Sequence, residues 1–426
     1  MIGLMSIVSA CSRQSPPSEE SKPLSLDNSQ SQGAASDERP LPAIASTEPK
    51  AYEVSAEDLL AARLAPEQAS QGWIRLFDGH TLFGWQIAGA ANFRVESGSI
   101  VADGGDVCLL CTSLPWRDYE LSVDFKAQAN TNSGVFLRTL LDPVDVETDC
   151  YEVNIAPDDN PFPTGGIVKR QQARASESAQ TFDVWRTMTM RLEDNRLQIS
   201  LDGELVCDYT DPVGLPAGRI GLQHNSGRIE FRNVLLRPLK GQPWLDESLS
   251  RWTQYPELDA KFTVDADGSL HVQGGSGQLE TRDQFGDFVL TAQYKLATPQ
   301  VNSGIFFRCI PGDKMMGYEC QLNDATRDGN PMSPADGGTG AIFRRQDARI
   351  VAGHVDQWSS VVLAANGASM AAWVNGIQVT DWTDDRPADP NPRKGRRDEP
   401  GTLMIQGHDP TTEAWIKDLQ IVSLDD

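Results

Sequence analysis

Histidine is scarce in this chain: five among 426 residues, none in a close ligand pair, which argues against a zinc site. No stretch approaches the roughly 20 apolar residues that a membrane-spanning helix requires. Positive charge is short as well. Lys and Arg number 37 against 60 Asp and Glu, giving a formal charge of −23. That balance argues against nucleic acid and anionic membrane surfaces, and it suits neutral or uncharged ligands, or solubility alone. Cysteines number only seven. Setting Cys11 aside leaves Cys108, Cys111, Cys150, Cys207, Cys309 and Cys320, an even set that an exported chain can oxidise in many pairings. Cys309 and Cys320 lie at the facing ends of an expected hairpin and are open to pairing. Cys108-Leu109-Leu110-Cys111 has redox-type spacing but no βαβ pattern after it, so it reads as buried thiols or a structural disulfide.

What the chain does have, it has twice. Asn132-Ser133-Gly134-Val135-Phe136-Leu137-Arg138 returns as Asn302-Ser303-Gly304-Ile305-Phe306-Phe307-Arg308. Tyr151-Glu152 returns as Tyr318-Glu319, and Gly165-Gly166-Ile167-Val168-Lys169-Arg170-Gln171 as Gly340-Ala341-Ile342-Phe343-Arg344-Arg345-Gln346. Trp185 matches Trp358, and Gln223 matches Gln406. A period this long means two copies of a whole domain rather than a solenoid or propeller. The spacing between matching residues grows by about eight around 327–338 and about ten around 384–400. Both insertions are rich in Pro, Gly and charge and belong to loops, where sandwich folds place recognition. The second copy is therefore the more elaborated site.

Residues 1–11 form a short apolar run ending in Val8-Ser9-Ala10-Cys11, which resembles a lipoprotein lipobox with Cys11 as the lipidated residue. This predicts an exported protein, lipid-anchored at a bacterial cell envelope (periplasm or outer membrane). Residues 12–71 read as a disordered tether ending in a short helix, which opens at Ser55-Ala56-Glu57-Asp58. From Trp73 onward short runs alternate apolar and polar residues at period two, as in Tyr119-Glu120-Leu121-Ser122-Val123. Asp202-Gly203 and Asn375-Gly376 are matching hairpin turns. The expected fold is all-β, with sandwiches over 72–237 and 252–426 joined by a linker at 238–251.

Phe77-Asp78-Gly79-His80-Thr81-Leu82-Phe83-Gly84-Trp85, the two Asn-Ser-Gly strands, Tyr-Glu-x-(Asn/Gln) and the closing Leu-Gln segment together resemble the 3-keto-disaccharide hydrolase domain family. The resemblance is good over 72–237 and weaker at the start of the second copy. It implies two tandem concanavalin-like jelly rolls and the cleavage of 3-keto-glycosides. Oxidation of a sugar at C3 acidifies the C2 proton, so the glycosidic bond can break by proton abstraction and elimination, followed by hydration. Such a site needs a base, a cation or donors for the enolate oxygen, and an acid at the leaving group.

The repeated motifs supply candidates. Glu319 shares a strand face with Gln321, because strand side chains alternate, and serves as base or acid while Gln321 orients hydroxyls. Arg308 is the expected stabiliser of developing negative charge. His408 matches the closing Gln-x-His pattern and is a second acid/base candidate. Asn302, Asp324, Arg344 and Gln406 complete the expected substrate set. In the first copy the counterparts are Glu152, Arg138, Asn154, Lys169 and Gln223, but Gln223-His224-Asn225 places Asn where the pattern has His. Either Arg–Glu pair could instead be a buried structural ion pair. Lys169-Arg170 and Arg344-Arg345, with Arg174 and Arg349, read as solvated basic strand or as a seat for carboxylate-bearing glycans. Gln171 and Gln346 are weak pointers. Trp185 and Trp358 are assigned to the core, and Trp85, Trp116, Trp382 and Trp415 to packing or sugar stacking. No cofactor is expected. Asp324, Asp328 and Asp336 are possible calcium ligands without a complete spacing. A non-catalytic carbohydrate-binding surface protein is the alternative, since this fold serves both classes.

Overall fold

The period-two runs fold as antiparallel strands, in a computed structural model that describes residues 54–157, 159–174 and 181–424. The leader 1–53, with the lipobox and Cys11, lies outside the described residues. Each copy is a sandwich of one eight-stranded and one five-stranded sheet. In the first copy the smaller sheet runs Trp85–Ala88, Cys108–Thr112, Arg219–His224, Ser133–Thr139, Tyr151–Ile155. In the second it runs Trp252–Gln254, Gly277–Thr281, Thr402–Gly407, Ser303–Cys309, Tyr318–Leu322, the same order element for element. The hairpin turns match too: Asp202 and Gly203, like Asn375 and Gly376, all have positive φ, as the favoured two-residue turn demands.

The linker does not separate the copies. Gln242–Pro243 pairs with the long Glu413–Ser423 strand, and Trp244 and Leu249 enter the second core. Trp252 donates its indole N–H to the Trp244 carbonyl, while Asp246 takes up Ser248 and Ser250. In the first copy Trp85 donates to the Leu76 carbonyl and Asp78 takes up Thr81. The opening signature is thus present in degenerate form inside the stretch expected to be a connector. The end of the expected tether is also built in. Ser55 caps the helix Ala56–Ala61, a second short helix covers Pro66–Ser70, and Leu59 and Ala62 pack into the second core.

The two sandwiches share packed surface. Trp116 meets Trp373 edge-on at 5.7 Å, and the Trp373 indole donates to the Arg75 carbonyl. Arg349 pairs with Asp78 at 2.9 Å and Ser113 donates to Asp381. Trp185 and Trp358, expected in the core, instead lie half-buried with cations over their rings: Arg232 at 4.0 Å and Lys417 at 4.2 Å.

All six described cysteines are buried and free. Cys320 faces the core between the sheets, whereas Cys309 belongs to a cluster on the outer face with Phe306, Met315 and Met404. Opposite faces of a sheet cannot be bridged, which rules out the hairpin pairing. Cys108 and Cys111 divide between faces in the same way, and burial pushes the Cys111 thiol up to about 12.

Candidate functional site

The outer face of the second copy's smaller sheet carries the polar residues that alternation predicts. Core-facing Ile305, Phe307, Cys320, Leu322, Leu403 and Ile405 take every second position. The positions between them place Phe306, Glu319 and Gln406 in the wall of one cavity of about 420 Å³. Asn302, Arg344 and His408 complete the expected lining, and Gln321 lies beside them. Gly304 makes the space: a Cβ there would lie 2.7 Å from the Glu319 Oε1. The glycine of Asn-Ser-Gly, whatever its part in bending the strand, is the floor under a carboxyl group.

Among the described residues the Glu319 carboxyl has no hydrogen-bond or ion-pair partner. Burial, reinforced by the nearby Asp336 charge, pushes it up to about 8 against the opposing pull of Arg393 and Arg344. Around it the amides are only partly used. Gln321 donates to Asp336 at 3.1 Å, Asn302 donates to the same oxygen at 2.8 Å, and the Gln321 and Gln406 carbonyl oxygens are buried without partners. A buried acceptor left open beside a cavity is ready for a hydroxyl. His408 sits at the exposed side, its Nδ1 2.8 Å from Asp409, whose other oxygen is held by Thr411.

Three of the expected residues belong elsewhere. Arg308 is fully buried and does not pair with Glu319. It donates to Asp287 at 2.7 Å and to the carbonyls of Gly286, Gly367 and Arg397. Its φ of 48° marks a bulge, which breaks the alternation, so Phe306 and Cys309 share a face and Arg308 turns away from the cavity. Arg138 repeats this, with φ 47° and a 3.0 Å bond to Asp118. Both arginines hold loops, and neither lies at the carboxyl face. Asp324 is likewise interior, receiving Thr339 and Tyr294 hydroxyls. Burial pushes it up to about 6. Among the described residues no group of three acidic, His or Cys side chains is placed to hold a metal, so the calcium reading gains no support.

The first copy gathers the matching residues but covers them. Glu152, pushed up to about 7 by burial, is 8% exposed and accepts from Gln223. Asn154 donates to the Phe162 carbonyl of its own loop. His224 faces the core at 3% exposure, its ring nitrogens unpartnered, so it cannot stand in for His408. Lys169 and Arg170 are tied to the 145–147 loop.

Sequence reasoning offered Arg345 only as solvated strand or a carboxylate seat, and it missed Arg393 and the placing of Asp336. Asp336 and Arg393 both lie in the two insertions, so the change of spacing was the available signal. The second insertion is fastened by Tyr318, whose hydroxyl donates to the fully buried Asp384 and accepts from the Arg397 N–H. Arg386 grips Asp384 with two bonds and the carbonyls of Pro392 and Gly395. That brings Pro392 and Arg393 to the cavity.

The 3-keto-alpha-glucoside-1,2-lyase-like domain matches this sequence at residues 72–237 and again at 242–422. The chain belongs to that family, in two tandem copies. Membership ties it to glycoside chemistry, and the second match begins inside the former linker, where the degenerate signature lies. Comparison with curated proteins finds no match. Among solved structures, a candidate glycosyl hydrolase from Parabacteroides distasonis is 20% identical, over 42% of this chain and 98% of that one, with TM-score 0.36. The carbohydrate-binding module CBM66 from Bacillus subtilis is 16% identical, over 36% and 95%, with TM-score 0.29. The Emp46p carbohydrate recognition domain is 15% identical, over 43% and 95%, with TM-score 0.30. These are likenesses of fold.

Proposed function

We propose that the second copy of this family member cleaves 3-keto-glycosides by elimination and hydration. Glu319, as the carboxylate, removes the C2 proton next to the C3 ketone. The electron pair moves into the enolate, whose oxygen is countered by the Arg344 guanidinium in the role first expected of Arg308. The enolate then expels the C1 oxygen, which takes a proton from His408, leaving an enone. Water adds at C1 and the C2 carbon is reprotonated, giving the free 3-keto sugar and the released alcohol. Gln321, Gln406 and Asn302 hold sugar hydroxyls. The observation that carries this reading is the half-buried, unpaired Glu319 facing a cavity of sugar size. A weakly acidic carboxyl is matched to taking a proton near neutral pH.

The test is turnover of 3-keto-trehalose or a 3-keto-glucoside with product analysis by chromatography. Release of the alcohol and the 3-keto sugar is expected, with the enone trapped at early times. Binding of the glycan with no product at any time would favour the alternative of a carbohydrate-binding protein. From the lipobox we also propose export and lipidation at Cys11. Labelling with a fatty-acid analogue would show incorporation that Cys11→Ala abolishes, and unlabelled wild-type protein would refute it.

A further inference from the structure

The same turn occurs in both copies with opposite electrostatics. In the first, Lys169 has φ 59° and lies 3.8 Å from Asp145 and 3.6 Å from Glu147. Beside it Arg170 lies 3.6 Å from Asp211. Both cations are answered by acids of the same sandwich. In the second copy Arg344 takes the same φ of 59°, but the facing loop 310–317 is shorter and carries only Asp313 as an acid. Tyr151 and Tyr318 mark Asp211 and Asp384 as counterparts, yet Asp384 is consumed by Arg386. Among the described residues Arg345 therefore bonds to backbone carbonyls alone, those of Arg344, Pro392 and Arg393. The insertion adds another cation, Arg393, whose side chain, among the described residues, bonds to the Met315 carbonyl. In a chain of net charge −23, this cavity wall presents three guanidiniums. Against them stand Glu319 and the amide-bound Asp336.

We propose that the ligand of the second sandwich supplies the missing anion: a saccharide bearing a uronate carboxylate or a sulfate ester, seated on Arg393 with Arg345 behind it. This rests on reading the cavity as a glycoside site and narrows its substrate class. Arg344, beside Glu319, is left for the reacting centre. Planar guanidiniums suit both anions, because each offers two oxygens to a fork of N–H donors.

Isothermal titration of the full chain at low salt tests it with three unoxidised disaccharides, so that no turnover is needed: glucuronosyl-glucose, a 6-sulfated glucosyl-glucose and the neutral glucosyl-glucose. One charged sugar should bind about tenfold tighter than the neutral one, and the tighter arm names carboxylate or sulfate. Added salt should erode that advantage. Arg393→Gln, at an exposed position where the melting temperature should not move, should bring the ratio close to one. Equal affinities, no binding of either charged sugar, or a preference that survives Arg393→Gln would each overturn the proposal. A charged preference in a protein that fails to cleave any 3-keto-glycoside would instead sink the elimination reading and leave this one standing.

Discussion

A base works only when it has lost its proton, and the Glu319 carboxyl is pushed up to about 8. The base limb of the cleavage rate should therefore rise with pH up to about 8, because the protonated carboxyl cannot take the C2 proton. A profile of kcat/KM against pH measures this; a rate already flat from pH 5 would remove Glu319 from the role. Glu319→Gln should cost about 10²–10⁴-fold in kcat, while the melting temperature holds because the side chain has no hydrogen-bond or ion-pair partner to lose. Asp324 offers a separate check on the interior. Its folded carboxyl, at about 6, lies above the ordinary 3.8, so the folded chain holds the proton more tightly than the unfolded chain. Stability should then fall as pH rises from about 4 to 6, by about 3 kcal/mol from this group. Asp324→Asn should flatten that part of the denaturation curve. At this scale the sequence was readable where alternation holds: Glu319 and Gln406 face where period two puts them. It misled at Arg308 and Arg138, because a positive-φ bulge reverses facing and leaves no mark in a pattern of apolar and polar letters.

Elements decide how firmly that carboxyl is held. Gly304 lies on the strand Ser303–Cys309, directly beneath the Glu319 side chain on Tyr318–Leu322. Gly304→Ala would push a flexible carboxyl group aside rather than deform the sheet, since the nearest atom is its Oε1. The expected outcome is a loss of about 10²-fold in kcat with little change in melting temperature, because a shift of about 1 Å at a reacting group has that scale. A loss of stability without loss of turnover would refute the floor role. Arg308 acts at longer range, binding the bulge to the insertion through the Arg397 carbonyl. Arg308→Met should destabilise by about 3 kcal/mol in chemical denaturation, since it leaves Asp287 and several carbonyls short of a donor. Change of spacing told where the insertions lie, but the first is not all loop, since Thr326–Arg327 pairs with Asn330–Pro334 in a two-stranded sheet. It could not tell that the second folds back over Arg386 and Arg345, because carbonyls clasping guanidiniums involve no residue type that a pattern would flag.

At the scale of the whole molecule, duplication left one sandwich open and one covered. The first keeps Glu152, Asn154 and Gln223 together but closes them with its own loops and lacks the His408 counterpart, and the surface it shares with the second is a contribution that can be tested. The duplication itself was plain from the repeated motifs, whereas the contact between copies was not, because an interface built of core-type residues looks like core. Trp373 illustrates this: it sits on a strand of the second copy, yet it packs with Trp116 among first-copy residues and donates to Arg75. Truncating it removes the edge contact, the indole bond and much of the packed area at once. Trp373→Ala should cost about 3–5 kcal/mol. The form of the transition carries more information than its midpoint. If the sandwiches stabilise each other through this surface, wild-type chain unfolds in one calorimetric transition and Trp373→Ala separates it into two. If the wild type already shows two independent transitions, unchanged in position by Trp373→Ala, the first copy is a passenger and its role as support is refuted.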